Sequence, residues 1–181
     1  MWYVVETEAG KEQAFINIIE KTIEHRSFKR CFFVKRERLR RQQEKCCVYR
    51  EILYPGYVFV DTEEPNAFCG EVERLQQFIG SPGKKEFSMH PVDEREQTFL
   101  AELLDGDTED TIRLSPVQVN ESGEITASGG AAGKFRDSVV KKRIRNRYVV
   151  IGAEIGERKM EVLVGIWVVG RDGDLYRSGR N

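Results

Sequence analysis

Histidine is nearly absent: His25 and His90 are the only two in 181 residues. A histidine-based catalytic triad has little to draw on, and no G-x-S-x-G nucleophile motif occurs. The four cysteines, Cys31, Cys46, Cys47 and Cys69, form no C-x-x-C pair. Vicinal Cys46-Cys47 with two histidines is a poor zinc set, so no metal site is expected. Thiols kept reduced in a cytosol fit this usage, with redox sensing at Cys46-Cys47 as the alternative. Gly129-Gly130-Ala131-Ala132-Gly133-Lys134 suggests a phosphate loop but lacks the full G-x-x-x-x-G-K-[ST] pattern. It also falls between predicted β segments, where no helix start would complete such a loop. The chain reads as a non-enzyme without a cofactor.

Long apolar runs are missing too. None approaches the ~20 residues needed to span a bilayer, so no membrane partner is expected. Met1 to Val5 is followed by Glu6, without a basic stretch or an A-x-A site, so no signal peptide is predicted. Net charge is −1, with 33% of residues charged, and no global field points to nucleic acid. The informative charge is local.

At 40% hydrophobic residues, the length suits one ordinary domain or two small ones. Trp2 to Thr7 reads as a first strand, and Lys11 to His25 as a helix with Phe15, Ile18, Ile19 and Ile23 on its apolar stripe. Glu12, Glu20 and Glu24 lie largely off that stripe. Cys31 to Val34 begins a second strand that runs on into Lys35–Arg41. Gln42 to Lys45 is a solvent-exposed turn, and Val48 to Ile52 the return strand. Ile52 to Val60 is the densest β-branched and aromatic stretch of the N-terminal two thirds. Its Pro55-Gly56 pair marks a bulge or bend, after which Tyr57 and Phe59 face one side and Val58 and Val60 the other. Pro65 opens a helix bearing Phe68, Val72, Leu75 and Ile79, which Gly80-Ser81-Pro82-Gly83 ends. Val92 to Leu104 forms a third helix. The expected N-terminal architecture, over 1–104, is α+β, with helices packed on a small antiparallel sheet.

Residues 105–114 are acidic with nothing evident to bury, the mark of a linker. Between 86 and 124, eleven acidic groups face only Arg95 and Arg113. From Ser115 to Gly170 the chain reads as all β, with about five short strands in a small barrel. Residues 171–181 make a polar tail that should fray.

Two basic runs interrupt this balance. Arg30 to Arg50 holds Arg30, Lys35, Arg36, Arg38, Arg40, Arg41, Lys45 and Arg50 against Glu37 and Glu44. A solvated hairpin face and a nucleic-acid-facing hairpin both fit that run. Lys134 to Arg147 holds Lys134, Arg136, Lys141, Lys142, Arg143, Arg145 and Arg147 against Asp137 alone. Seven cations on a loop and hairpin of a small barrel suit phosphate contacts, with arginine also able to read bases. The competing reading is an edge strand charged against unwanted pairing.

Trp2-Tyr3-Val4-Val5, then Tyr54-Pro55-Gly56-Tyr57-Val58-Phe59-Val60, then an acidic stretch into a β domain with Gly129–Gly133, together resemble the NusG family of transcription elongation factors. The resemblance spans nearly the whole chain and implies an NGN domain followed by a KOW domain in a cytoplasmic, monomeric bacterial protein. It further implies docking on the clamp helices of RNA polymerase through Trp2, Tyr54 and Tyr57, with Tyr3 and Leu53 nearby. It places the hairpin arginines Arg36, Arg38, Arg40 and Arg41 near upstream or non-template DNA. The family's glycine before the second KOW strand is missing from Phe135-Arg136-Asp137-Ser138. That departure and the charge of Lys141–Arg147 make the chain similar to specialised paralogues, the LoaP antiterminators. These engage a structured leader RNA with the KOW domain. A general elongation factor whose KOW domain binds proteins, and a translation-associated protein that binds ribosomal RNA, are the alternatives.

Overall fold

A computed structural model describes residues 1–42, 45–79, 88–155, 157–172 and 176–177; for 41–42, 45, 76–79 and 176–177 the description is of the backbone alone. The chain divides into two compact units, Met1–Phe33 with Tyr54–Gln97, and Val34–Leu53 with Thr98–Asn181. Among the described residues the fold is mixed, with sheets and four α-helices.

The first unit contains β1 (Trp2–Glu6), α1 (Glu12–Thr22), β2 (Arg30–Phe32), β5 (Tyr57–Asp61), α2 (Pro65–Ile79) and β6 (Met89–Pro91). Its sheet runs β2-β5-β1-β6, antiparallel throughout. The register sets Val5 opposite Val58 and Cys31 opposite Val60, so these four share one face. They pack with Ile16, Ile19 and Ile23 of the α1 region and with Phe68 and Val72 of α2 into the unit's core. The helical stripe differs from expectation at two places. Ile16 is buried and Ile18 is exposed, and Glu12 is buried at the helix start. Pro65 opens α2 as expected, at a position where a missing N–H costs nothing. The glycines expected to end α2 lie outside the described residues.

The expected continuous strand from Cys31 to Arg41 is two strands. β2 ends at Phe32 and belongs to the first unit's sheet, whereas β3 (Lys35–Gln42) belongs to another. Alternation of side chains carries through Phe33-Val34, so the break leaves no trace in the residue pattern.

The second unit holds the hairpin of β3 with β4 (Lys45–Ile52), then β7 (Thr111–Ile112), β8 (Ser115–Val119), β9 (Ile125–Ser128), β10 (Val139–Arg143), β11 (Tyr148–Ile155), β12 (Arg158–Val168) and β13 (Tyr176–Arg177). Helix α3 (Glu94–Leu104) carries the boundary between Gln97 and Thr98, and α4 spans Gly130–Lys134. Asp93 caps α3 by accepting the N–H of Arg95 at 2.8 Å. One sheet runs β10-β11-β12-β8-β9 and the other β13-β4-β3-β7. The hairpin is thus grouped with the C-terminal strands.

Three segments depart from the sequence expectation. Residues 105–114 do have something to bury: Thr111 and Ile112 are buried in β7, paired with Lys35 and Arg36 of β3. Gly130–Lys134 forms a short helix, with Ala131 and Ala132 buried and the Ala132 N–H donating to Ser115 Oγ at 3.0 Å. Within the polar tail, Tyr176–Arg177 pairs parallel to Cys47–Val48. The tips expected at Gln43-Glu44 and Gly156, and residues 173–175 and 178–181 of the tail, lie outside the described residues.

The hairpin meets the five-stranded sheet where β3 crosses β12. Leu39, Cys46 and Val48 pack there against Leu114 and Trp167. A Cβ on Gly165 would stand 2.3 Å from the Glu37 carbonyl oxygen, so only glycine fits this crossing.

Candidate functional site

Tyr54-Pro55-Gly56-Tyr57 forms a tight turn whose geometry follows from its residues. Proline presets the second position, and Gly56 takes φ +85 at the third. The Tyr57 N–H donates to the Tyr54 carbonyl at 3.2 Å, and the Thr7 N–H donates to the Gly56 carbonyl at 2.8 Å. Below the turn, the Glu12 carboxylate accepts the Gly56 N–H at 2.7 Å. Burial pushes the Glu12 carboxyl up, but the N–H groups of Gly56, Glu12 and Gly10 outweigh it and hold it below its ordinary value.

This turn leads into β5, where Phe59 faces Val4 and Phe32 across the sheet. Trp2 meets the Phe32 ring edge-on at 4.9 Å and the Phe59 ring at 6.0 Å; Phe32 stacks on Phe59 at 5.4 Å. Tyr54 closes the cluster at 6.3 Å from Phe59. The Arg30 guanidinium lies 4.0 Å from the Phe32 ring centroid and 5.9 Å from that of Trp2.

Of the five expected docking residues, only Trp2 and Tyr54 enter this cluster. Trp2 is buried, whereas Tyr57 is 40% exposed and shares the Phe59 side of β5 by alternation. Tyr3 pairs with Val60 and so lies on the opposite face of the sheet. Leu53 is buried in the second unit. Phe32, Phe59, Arg30 and Glu12 were missed as members of this site. Phe59 lay inside the motif, but β2 pairing, which brings Phe32 and Arg30 beside it, is a long-range register with no local signal.

The hairpin arginines are less available than their count suggests. Glu51 Oε1 takes both Arg36 Nε at 2.7 Å and Arg38 Nη1 at 3.0 Å, leaving the two side chains about one fifth exposed (20% and 18%). The Arg38 guanidinium lies 5.5 Å from the centre of the Tyr148 ring. Arg40 is exposed, and the side chain of Arg41 lies outside the described residues. On the other face, buried Glu37 accepts from Arg113 Nη1 at 2.9 Å and from the Leu114 N–H at 3.1 Å. Arg113 also reaches Asp107 and Glu109, both at 2.5 Å, and these partners raise its pKa, Asp107 foremost, against the effect of burial. The acidic residues at 107 and 109 are therefore ion-pair acceptors for an ordered corner.

The second basic run divides in two. Lys141, Lys142 and Arg143 lie on β10, an edge strand, and Arg145 follows in a 3-10 turn. All four are exposed and have no carboxylate partner among the described residues, as is true of Arg136. A bulge at Val140 interrupts the register between Val139 and Lys141. Lys134 instead turns toward the Glu102 carbonyl at 3.3 Å and Asp105 at 3.6 Å. Arg147 is held by buried Asp172, its Nε lying 2.8 and 2.9 Å from the two carboxylate oxygens. Asp172 is remote in sequence from the basic run, which explains why counting charges could not separate Arg147 from its neighbours.

No group of three or more metal-ligating side chains is found among the described residues, and no helix there is long and apolar enough to cross a membrane. Burial pushes the Cys31 thiol up to about 12, an inert state. Cys46 is buried in the apolar cluster of the hairpin, and Cys47 lies half-buried.

The sequence model of the family described as "Transcription termination factor nusG" matches residues 1–100. The chain belongs to the NusG family. NusG proteins are transcription factors rather than enzymes, and the match takes in the whole Tyr54–Tyr57 turn and its ring cluster. No curated protein sequence matches this NusG-family chain. A solved structure titled "Domain interaction in Thermotoga maritima NusG" is similar to it over 91% of this chain and 92% of that one, at 21% identity and a TM-score of 0.43.

Proposed function

We propose that this NusG-family protein is an operon-specific processive antitermination factor. An NGN-like domain, 1–104, docks on the clamp helices of RNA polymerase. A KOW-like region, 115–170, holds a structured leader RNA; residues 105–114 join the two, and 171–181 follow. The observation that carries this reading is the row of four exposed cations, Lys141, Lys142 and Arg143 on the β10 edge and Arg145 in the turn after it, without carboxylate partners among the described residues. An unneutralised cluster of this kind in a chain of net charge −1 suits a polyanion.

In this reading Tyr57 and Tyr54 touch polymerase, while Trp2 supports them from within the ring cluster. Tyr3 and Leu53 have structural duties. Arg136 joins the four cations on RNA, and Lys134 and Arg147 shape the surface without touching it. Of Arg36, Arg38 and Arg40, Arg40 is the one exposed toward a nucleic-acid backbone.

One observation favours a general elongation factor with a protein partner on the same edge. Val140, amid the cations of the edge strand β10, is 60% exposed. A salt titration separates the two. The full chain is titrated with leader RNA from its own operon and with an unrelated hairpin of equal length, beside Lys142→Glu/Arg145→Glu. Antitermination requires discrimination between the RNAs and its loss in the double variant. Equal, weak binding that salt abolishes leaves the protein-binding role.

A further inference from the structure

Apart from Arg30, two basic runs that look independent in the sequence lie in one compact unit. At Gly165 the backbones of β3 and β12 come too close for any side chain. Arg36 Nη1 reaches the Leu163 carbonyl beside this crossing at 3.5 Å. The crossing lays the Arg38 guanidinium 5.5 Å from the Tyr148 ring.

The register extends that contact on both sides. Arg38 stands directly opposite Tyr49 in the hairpin, so their side chains share a face, and Tyr49 is 37% exposed there. Arg40 lies two residues along β3, on the same face and exposed. Tyr148 stands opposite Arg143 of β10 on one side and opposite Gly165 of β12 on the other. Over Gly165 stand the Glu37 carbonyl and the Leu114 side chain, so the hairpin closes that flank of Tyr148 while Arg143 borders the other. The sequence Arg40, Arg38 with Tyr49, Tyr148, Arg143 is a strip in which cations alternate with aromatic faces.

We infer that this strip is a single RNA-binding surface running from the hairpin to the β10 edge, with the exposed Tyr49 stacking unpaired bases of a looped RNA and Tyr148 backing Arg38. The inference rests on the RNA reading given above and adds where the loop is held. Charge complementarity selects a polyanion, and the exposed Tyr49 ring selects one with exposed bases, since a paired stem hides its base faces. Arg38, clamped by Glu51 and seated on Tyr148, orients the platform between the two rings.

The probe is a fluorescein-labelled stem–loop RNA with a ten-uridine loop, compared with the same stem closed by a tetraloop and with its DNA counterpart. Binding of the full chain is measured by anisotropy for the wild type, Tyr49→Ala, Tyr49→Phe, Arg40→Glu and Lys142→Glu/Arg145→Glu. The wild type should prefer the long loop over the tetraloop by about fivefold or more. Tyr49→Ala should abolish that preference and Tyr49→Phe should retain it, because Phe keeps the ring. Arg40→Glu should weaken binding of the long loop, and Lys142→Glu/Arg145→Glu should weaken both RNAs. If only the double variant weakens binding, the joined surface is overturned while the RNA reading stands. If no variant changes affinity for either RNA, both fail. A DNA stem–loop bound as tightly as the RNA one overturns the assignment to RNA.

Discussion

The buried carboxylate of Glu12 accepts the backbone N–H of Gly56 at 2.7 Å. A helix start thereby fixes the turn that presents Tyr54 and Tyr57.

Removing that acceptor leaves a buried N–H unsatisfied. Glu12→Ala should cost about 1–3 kcal/mol, read from chemical denaturation. Because the native carboxyl titrates below its ordinary value, its stabilisation is complete above the unfolded-state pKa. It is lost as pH falls through the lowered native value. The wild type should therefore lose more thermal stability than Glu12→Gln between about pH 6 and about pH 3. Parallel curves would show that the carboxylate charge has no part in holding the turn.

Trp2 and Tyr57 should separate in the same assays. Trp2→Ala empties a buried ring cluster and should destabilise the protein by about 3–5 kcal/mol. Tyr57→Ala, at an exposed position, should stay within about 0.5 kcal/mol of wild type and lower polymerase affinity. Unchanged affinity in a pull-down titration with core polymerase would remove Tyr57 from the docking surface.

The motif around Trp2 was legible as a family signature, but its aromatic residues could not be sorted into those on the surface and those under it. That sorting depends on β2 pairing with β5, which brings Phe32 against Phe59 from far along the chain. The helices and most strands were readable because their apolar spacing is local. Ile16 and Ile18 were misassigned because either fits an amphipathic stripe until the sheet fixes which face is inward. The break at Phe33-Val34 and the grouping of the hairpin with the C-terminal strands had no local signature. They depend on close approach at Gly165, a glycine that looks unremarkable in the sequence.

Arg147 and Arg145 offer a direct contrast. Arg147→Ala strands the buried Asp172 carboxylate and should cost about 3–5 kcal/mol. Arg145→Ala should leave stability within about 0.5 kcal/mol and weaken RNA binding. Thermal denaturation and RNA titration of both variants check the assignment; a stable Arg147→Ala would return Arg147 to the RNA surface.

Two glycines should respond oppositely to alanine. Gly165→Ala places a methyl 2.3 Å from a carbonyl oxygen and should destabilise by about 1–3 kcal/mol. Gly70, inside α2 with open space around it, should gain about 0.5–1 kcal/mol as alanine. Denaturation midpoints of the two variants decide both.

In the proposed function, polymerase docking and leader-RNA binding act together in this chain. The most direct test of this coupling is in vitro transcription through a terminator placed downstream of the chain's own operon leader, or of an unrelated leader, with wild type and Lys142→Glu/Arg145→Glu. Readthrough is expected on the chain's own leader only, lost in the double variant while polymerase binding persists. Readthrough that is the same on both leaders and in both proteins would contradict the proposed function.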